Sequence, residues 1–385
     1  MALRRLFIFL IALAFILAAA PSLRAQETRP TPTPSTQEPP RDDQEPIKVF
    51  TEEVRLPIVA FDDYGYFDPT LELDDVLVIE DGVQQQVRSI RHIPASVLFV
   101  LDVDNQITVG KRTETTRAVA SRVLSRLRKG DEVAVLQFGT GVQILQNWTA
   151  ETEPLAGILK TKLHGGKRGR LSEALIAAAA MLKDKPAGSR HVILITDGIE
   201  TPGGRVAYAD AVKQLIAAQA TVHVISYTGL VRDAIAKRYQ KSVFSGGDGR
   251  TGNQTPGAMD PTMPDGSMNR TPSFKIMTID TDRAMRRWYK KYAEGTKANE
   301  KRLVSLAEET GGQLLLPETT DDFLKQADLV ARDIGAQYVV TYTPKRPLSS
   351  AKAGEYRRIE VTPRRTGVRL RTRRGYIAKI EEGKR

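Results

Sequence analysis

The middle of the chain alternates short apolar runs with helical stripes of apolar residues. Val97–Leu101 is apolar throughout, which is typical of a strand that is covered on both faces of a sheet. Apolar positions at helical spacing from Thr116 to Leu127 then predict an amphipathic helix, which Gly130 ends. The alternation continues with predicted strands at Glu132–Phe138, Val142–Leu145, His191–Thr196, Val222–Ser226 and Gln313–Leu316, and with predicted helices at Thr152–Lys162, Leu171–Leu182, Val206–Ala218, Asn299–Thr310 and Asp321–Ile334. This order predicts an α/β fold with a doubly wound, mostly parallel sheet over residues 96–336.

On both sides of this α/β region the pattern changes to β structure. Residues 48–95 contain the strand-like segments Val54–Phe61 and Val76–Glu80, and Asp81-Gly82 is a typical hairpin turn. Residues 337–385 begin with further strand-like segments and end in a basic tail. Neither flank has enough strands for a stable sheet of its own. We therefore expect the two flanks to meet in one small β-sandwich-like domain, into which the α/β domain is inserted.

The charges of the two flanks support this expectation. Residues 42–81 contain thirteen Asp and Glu residues against Lys48 and Arg55, a net charge of −11. Residues 345–385 contain fourteen Lys and Arg residues against four Glu residues, a net charge of +10. A basic segment of this kind is also typical of proteins that bind nucleic acid or anionic lipid. The first residues of the chain predict an export signal, as described next, and an exported protein rarely meets nucleic acid. We therefore expect no nucleic-acid partner, and we expect the two charged blocks to face each other.

The export signal is predicted at Met1–Ala25. Arg4 and Arg5 precede the fifteen apolar residues Leu6–Ala20, and Ala25 offers a small residue for cleavage by a Sec-type pathway. A membrane-spanning helix needs about 20 apolar residues, so we expect cleavage and a secreted or periplasmic protein. The alternative is an uncleaved signal, which would be the protein's only membrane attachment.

Two further segments have little to bury. Residues 26–47 are rich in Pro, Thr, Gln and Glu and predict a disordered linker. Residues 245–298 begin with a stretch rich in Gly, Pro, Asn and Met, and we predict a partly disordered insert in the α/β domain. The chain contains no cysteine, which excludes disulfides, thiolate metal sites and a thiol nucleophile.

Acidic residues directly follow two of the predicted parallel strands. Asp102, Asp104 and Gln106 come after the first strand, and Asp197 comes after the strand His191–Thr196. Ligands of open parallel sheets bind outside the carboxyl ends of the strands. Carboxylates that meet there repel each other unless a cation, a buried base or a shared proton is present. These four residues are the candidate partner-binding site, and Asp102, Asp104 and Asp197 are the candidate metal ligands.

The order of these features resembles the von Willebrand factor A domain, over residues 96–335. The flanks are similar to related proteins of soil bacteria such as Acidobacteria, which extends the resemblance to residues 48–378. The similar segments are VLVIEDG at 76–82, LAEETGG at 306–312, QYVVTYTP at 337–344, RRIE at 357–360 and RRGY at 373–376.

This resemblance implies a metal-ion-dependent adhesion site. Asp102 and Asp197 match the acidic positions of that site, but Asp104, Gln106 and Gly169 stand where the family has hydroxyl residues. Three alternatives stay open: a Mg²⁺ ion that binds a partner's carboxylate, a weak or structural Mg²⁺ or Ca²⁺ ion, and a metal-free site. In the metal-free alternative, a cation from the segment 167–170 (Lys-Arg-Gly-Arg) would reach the carboxylates in place of the metal.

The sequence therefore predicts an exported, non-enzymatic module that binds another protein or a surface polymer through a degenerate adhesion site. The main alternative is a secreted scaffold whose adhesion site is vestigial. An enzymatic alternative follows from residues 97–106, VLFVLDVDNQ, which are similar to the first motif of haloacid-dehalogenase-type phosphatases. Asp102 would then be the nucleophile and Asp104 the acid/base, but the lysine and the later acidic pair of those enzymes are not in place.

Overall fold

The structure is a computed structural model that describes residues 52–103, 113–166, 169–233 and 281–378. The predicted signal, the predicted linker and the first part of the predicted insert lie outside these residues. Among the described residues, no helix is long and apolar enough to span a membrane.

The described strands and helices follow each other in the predicted alternation. The strands are β1 (Val54–Asp62), β2 (Val76–Glu80), β3 (Val83–Gln85), β4 (Val87–Arg91), β5 (Ser96–Asp102), β6 (Glu132–Phe138), β7 (Val142–Thr149), β8 (Arg190–Thr196), β9 (Thr221–Ser226), β10 (Leu314–Leu315), β11 (Tyr338–Tyr342), β12 (Tyr356–Pro363), β13 (Val368–Thr372) and β14 (Gly375–Ile377). The α-helices are α1 (Thr113–Leu124), α2 (Glu153–Lys162), α3 (Leu171–Leu182), α4 (Tyr208–Ala217), α5 (Thr281–Thr310) and α6 (Thr320–Ala336).

Six strands form the central sheet, in the order β10-β9-β8-β5-β6-β7. All neighbours pair in parallel except β7, which is antiparallel to β6. Every residue of β5 is buried, because α1 and α6 pack with one face of the sheet and α3, α4 and α5 with the other. The predicted α/β fold with a mostly parallel sheet is confirmed.

The two flanks of the chain interleave in two further sheets. One sheet has the order β13-β1-β11-β4 and the other the order β14-β12-β2-β3, so each sheet contains strands from both ends of the chain. Their inward side chains share one apolar core, which includes Leu56, Val78, Val340 and Ile359. This is the β-sandwich-like arrangement that the small number of strands in each flank predicts.

Opposite charges from the two flanks meet inside this β domain. Arg357 Nη1 donates to Glu80 Oε1 at 2.9 Å, and the two side chains are 0% and 2% exposed. The hydroxyls of Tyr342 and Tyr376 donate to Glu80 Oε2 at 2.7 and 3.0 Å. At the surface, Arg365 pairs with Asp68. At these points, acidic residues of the first flank therefore pair with arginines of the second flank.

Helix α5 begins earlier than the sequence pattern predicts. We predicted its start at Asn299, but the helix begins at Thr281. Residues 281–298 contain eight charged residues, so apolar residues at helical spacing are hard to recognise in this segment. Arg, Lys and Ala are nevertheless good helix formers, so a helix forms here without a continuous apolar face.

Two buried histidines lie at the amino end of the central sheet. The rings of His191 in β8 and His223 in β9 are nearly parallel, with centroids 5.9 Å apart, and each residue is 1% exposed. Gln337 Nε2 donates to His191 Nε2 at 3.2 Å and to the Gly188 carbonyl at 2.7 Å. Burial lowers the pKa of His191 to about 3. Burial, and then the charges of His191 and Arg371, also hold the pKa of His223 well below its usual value.

We predict that Glu80→Ala lowers the free energy of unfolding by about 3–5 kcal/mol, because it leaves the buried Arg357 guanidinium without its carboxylate. Urea denaturation measures this loss. The matched control is Glu360→Ala, which removes the partner of Arg358 in an ion pair whose side chains are 74% and 55% exposed. This control should lower the free energy of unfolding by less than about 1 kcal/mol. Equal losses in the two variants would contradict the prediction.

We also predict that the buried histidines make the fold acid-sensitive. Both rings are neutral in the folded protein, whereas an unfolded histidine has a pKa of about 6.5 and binds a proton below it. Stability should therefore fall as the pH decreases from about 6.5 toward 3, by up to about 1.4 kcal/mol per pH unit for each histidine. Urea denaturation at several pH values gives the free energy of unfolding as a function of pH. Between pH 6.5 and 3 this free energy should fall less steeply for His223→Gln than for the wild type. An equally steep fall in the two proteins would contradict the role of the buried histidines.

Candidate functional site

Two neighbouring parallel strands bring the candidate site residues to one edge of the central sheet. β5 ends at Asp102 and β8 ends at Thr196, directly before Asp197. Thr196 Oγ1 donates to Asp102 Oδ2 at 2.8 Å, and the Gly198 amide donates to Thr196 Oγ1 at 3.0 Å. Asp102 and Asp197 are each 2% exposed. The threonine hydroxyl thus connects the end of one strand to the loop that follows the other.

The loop after β8 is shaped by Asp197 and Gly198. The Ile199 amide donates to Asp197 Oδ1 at 3.1 Å, which is a local Asx-type turn. Gly198 has a φ of +73°, and a Cβ at this position would lie 2.9 Å from Leu303 Cδ1 in α5. Only glycine fits both the backbone angle and the close approach of the helix. Helix α5 therefore packs directly against this loop.

The loop before α3 is connected to the loop after β8. The Gly169 amide donates to Thr201 Oγ1 at 3.0 Å, and the Thr201 amide donates to the Gly169 carbonyl at 2.9 Å. Glu200 Oε2 accepts bonds from the amide and the hydroxyl of Ser172, at 2.8 and 2.9 Å, in the first turn of α3. Sequence reasoning missed Glu200 and Thr201, because their partners lie about thirty residues away and leave no local pattern.

Arg170 packs beside the same loop. Its Nη1 atom is buried and has no hydrogen-bond partner, as is also true of Glu200 Oε1. Both atoms lie 3.4 Å from the position of a Cβ on Gly204. Arg170 is therefore next to Glu200 and Gly204. The other two cations of this segment, at positions 167 and 168, lie outside the described residues, so a cation in place of a metal stays a prediction.

Hydroxyl groups continue the polar edge onto the next strand. Ser226 is the register partner of Thr196 at the end of β9, and its Oγ lies 3.2 Å from Thr228 Oγ1. Thr116 of α1 forms a hydrogen bond with the hydroxyl of the buried Tyr227. The edge thus presents Asp102, Thr196 and Ser226 on three adjacent strands, and the sequence analysis had singled out only the first of them.

The metal-binding capacity of this edge rests on few described ligands. Asp104 and Gln106 lie outside the described residues, so their predicted roles stay predictions. Within the described part of the chain, no three His, Asp or Glu residues are placed to hold a metal ion. The remaining acidic candidates are Asp102 and Asp197, and Gly169 offers no side-chain oxygen where the family has a threonine.

Residues 97–200 match the family model described as the von Willebrand factor type A domain. The chain contains a von Willebrand factor type A domain. The predicted resemblance is confirmed for these residues, which include β5, the loop before α3 and the Asp197-Gly198 loop. No curated protein matches the chain in sequence.

Solved structures to which this chain is similar include two from Bacteroides. The conserved hypothetical protein BatB of Bacteroides thetaiotaomicron is 22% identical, with 34% of this chain and 66% of that chain covered and a TM-score of 0.31. This chain thus spans just under two thirds of BatB. An aerotolerance-related membrane protein of Bacteroides fragilis is 17% identical. The match covers 62% of this chain and 98% of that chain, with a TM-score of 0.37. A proximal thread matrix protein of the mussel byssus, with a zinc-occupied adhesion-site motif, is 18% identical. The match covers 35% of this chain and 38% of that chain, with a TM-score of 0.31.

We predict that this von Willebrand factor type A domain binds Mg²⁺ only weakly, with a Kd of about 1 mM or higher, the loose end of the range for oxygen-ligand sites. The physical reason is that Gly169 supplies no oxygen ligand from its side chain and that the Thr196 hydroxyl already donates to Asp102. Isothermal titration of Mg²⁺ into the full-length protein measures the affinity. Micromolar binding that disappears in Asp102→Ala would show that the prediction is wrong.

Proposed function

We propose that this protein is an exported, non-enzymatic module that binds another protein or a surface polymer at the carboxyl edge of its central sheet. The observation that carries the proposal is the joining of Asp102, Thr196 and the Asp197-Gly198 loop at adjacent strand ends. This edge belongs to a von Willebrand factor type A domain. The export signal that the sequence predicts at Met1–Ala25 supports a secreted or periplasmic location.

The burial of the two aspartates suggests how the edge is used. Asp102 and Asp197 are each 2% exposed and accept bonds from groups of their own chain, so a bulky partner does not contact them directly. In our proposal they hold the loops in shape, and the contacts with the partner come from Asp104, Gln106 and the loop after β8. We favour recognition without a metal, because Gly169 removes a hydroxyl position and Asp104 and Gln106 replace two more.

The same observations favour a binding module over a phosphatase. A carboxylate nucleophile has to reach a phosphorus atom, whereas Asp102 is 2% exposed and one of its oxygens accepts the Thr196 hydroxyl. The match to the von Willebrand factor type A domain also supports an interaction role. The haloacid-dehalogenase-type alternative has no comparable support.

We predict that the purified protein captures its partner from an exported fraction equally well with and without EDTA. The double variant Asp104→Ala/Gln106→Ala should lose most of this capture, because it removes the proposed contacts. Glu360→Gln, whose side chain is 55% exposed in the distant β domain, is the matched control and should keep it.

Two other results would contradict the proposal. Capture that disappears with EDTA would indicate a functional metal site. Recovery of the protein itself, with no other partner, would instead favour the scaffold alternative.

A further inference from the structure

Arg373 is a buried cation at the junction between the central sheet and the β domain. It follows β13 and is 2% exposed. Its Nη2 atom donates to the Arg55 carbonyl at 2.8 Å, and its guanidinium carbon lies 5.6 Å from the ring centroid of Tyr376. The Nε and Nη1 atoms are buried without a hydrogen-bond partner. The three N–H donors of Nε and Nη1, out of five on the guanidinium, are therefore still available inside the protein.

Two other arginines of the same flank, Arg357 and Arg371, each have an acidic partner. Arg357 pairs with Glu80 at 2.9 Å, and Arg371 pairs with Asp333 at 2.6 Å. Glu80 is already shared among Arg357 and two tyrosine hydroxyls. Among the described residues, no carboxylate oxygen lies within 4.0 Å of Arg373. Arg373 is thus a surplus positive charge in a buried layer.

The surroundings of Arg373 increase this surplus. Arg190, whose guanidinium donates to the carbonyls of Lys185 and Ala218, is close enough for its positive charge to act on Arg373. Burial is the main cause that lowers the pKa of Arg373, to about 10, so the side chain is still charged at neutral pH. His191 and His223, which are buried at the same end of the sheet, are neutral and therefore do not balance the charge of Arg373.

We propose that Arg373 is the centre of a buried anion site that takes a small monovalent anion such as chloride. Water can satisfy the hydrogen-bonding capacity of Nε and Nη1, but it does not neutralise a buried charge. A monovalent anion against the guanidinium supplies both the acceptor and the counter-charge. The site would link the β domain to the amino end of the central sheet, and it is independent of the binding edge at the carboxyl end.

The first test compares thermal unfolding of the full-length protein in sodium chloride and in sodium gluconate at equal ionic strength. We expect a Tm higher by about 2 °C in 0.2 M chloride than in gluconate, which is a much larger anion. Arg373→Met should remove this difference. Arg374→Met, at a neighbouring side chain that is 57% exposed and pairs with Glu308, should keep it. Equal Tm values of the wild type in the two salts, or an undiminished chloride effect in Arg373→Met, would overturn the proposal.

The second test does not depend on the folding of a variant. Crystals of the wild-type protein soaked in sodium bromide should give an anomalous peak within hydrogen-bonding distance of the Arg373 guanidinium. Ordered water there, without an anomalous peak, would overturn the proposal. This test measures anion binding and not partner binding. Its result is therefore independent of whether the proposed function is correct.

Discussion

The carboxylate of Glu80 accepts hydrogen bonds from Arg357, Tyr342 and Tyr376, all of them buried, and Arg357 lies 277 residues further along the chain. A buried carboxylate is tolerated only with such compensation, so Glu80 requires the other end of the chain to be in place. The same requirement holds for the strands, since each β-domain sheet needs members from both flanks. The two ends of the α/β domain are therefore fixed together.

The opposite edge of the central sheet is organised by hydrogen bonds between loops. Thr196 joins β5 to the loop after β8, and Thr201 and Glu200 join that loop to the start of α3. Helix α5 packs against this loop at Gly198, whose φ of +73° favours glycine. Rigid loops on rigid strands reduce the entropy that is lost when a partner binds, which suits a recognition surface.

Much of the fold could be predicted from local patterns. The unbroken apolar run of β5, the Asp81-Gly82 turn and the opposite charges of the flanks each indicated a neighbour that the structure contains. Asp102 and Asp197 follow two predicted parallel strands in the sequence, which also predicted their place at the carboxyl edge of the central sheet. The contacts of Thr201 and Glu200 could not be predicted, because they depend on which loops the completed sheet brings together. The early start of α5 was missed because charged residues hide its helical period.

The interleaving of the flanks also determines the order in which the protein can fold. β1, β2 and β4 are synthesised before the strands with which they pair, β11, β12 and β13, which follow only after the whole α/β domain. Such non-local pairing carries a large loop-closure cost and slows folding. During that interval the apolar faces of β1 and β2 are exposed, and the unpaired strands are open to aggregation. We expect the α/β domain, whose parallel strands are close in sequence, to fold first, and the β domain to close around Glu80 last.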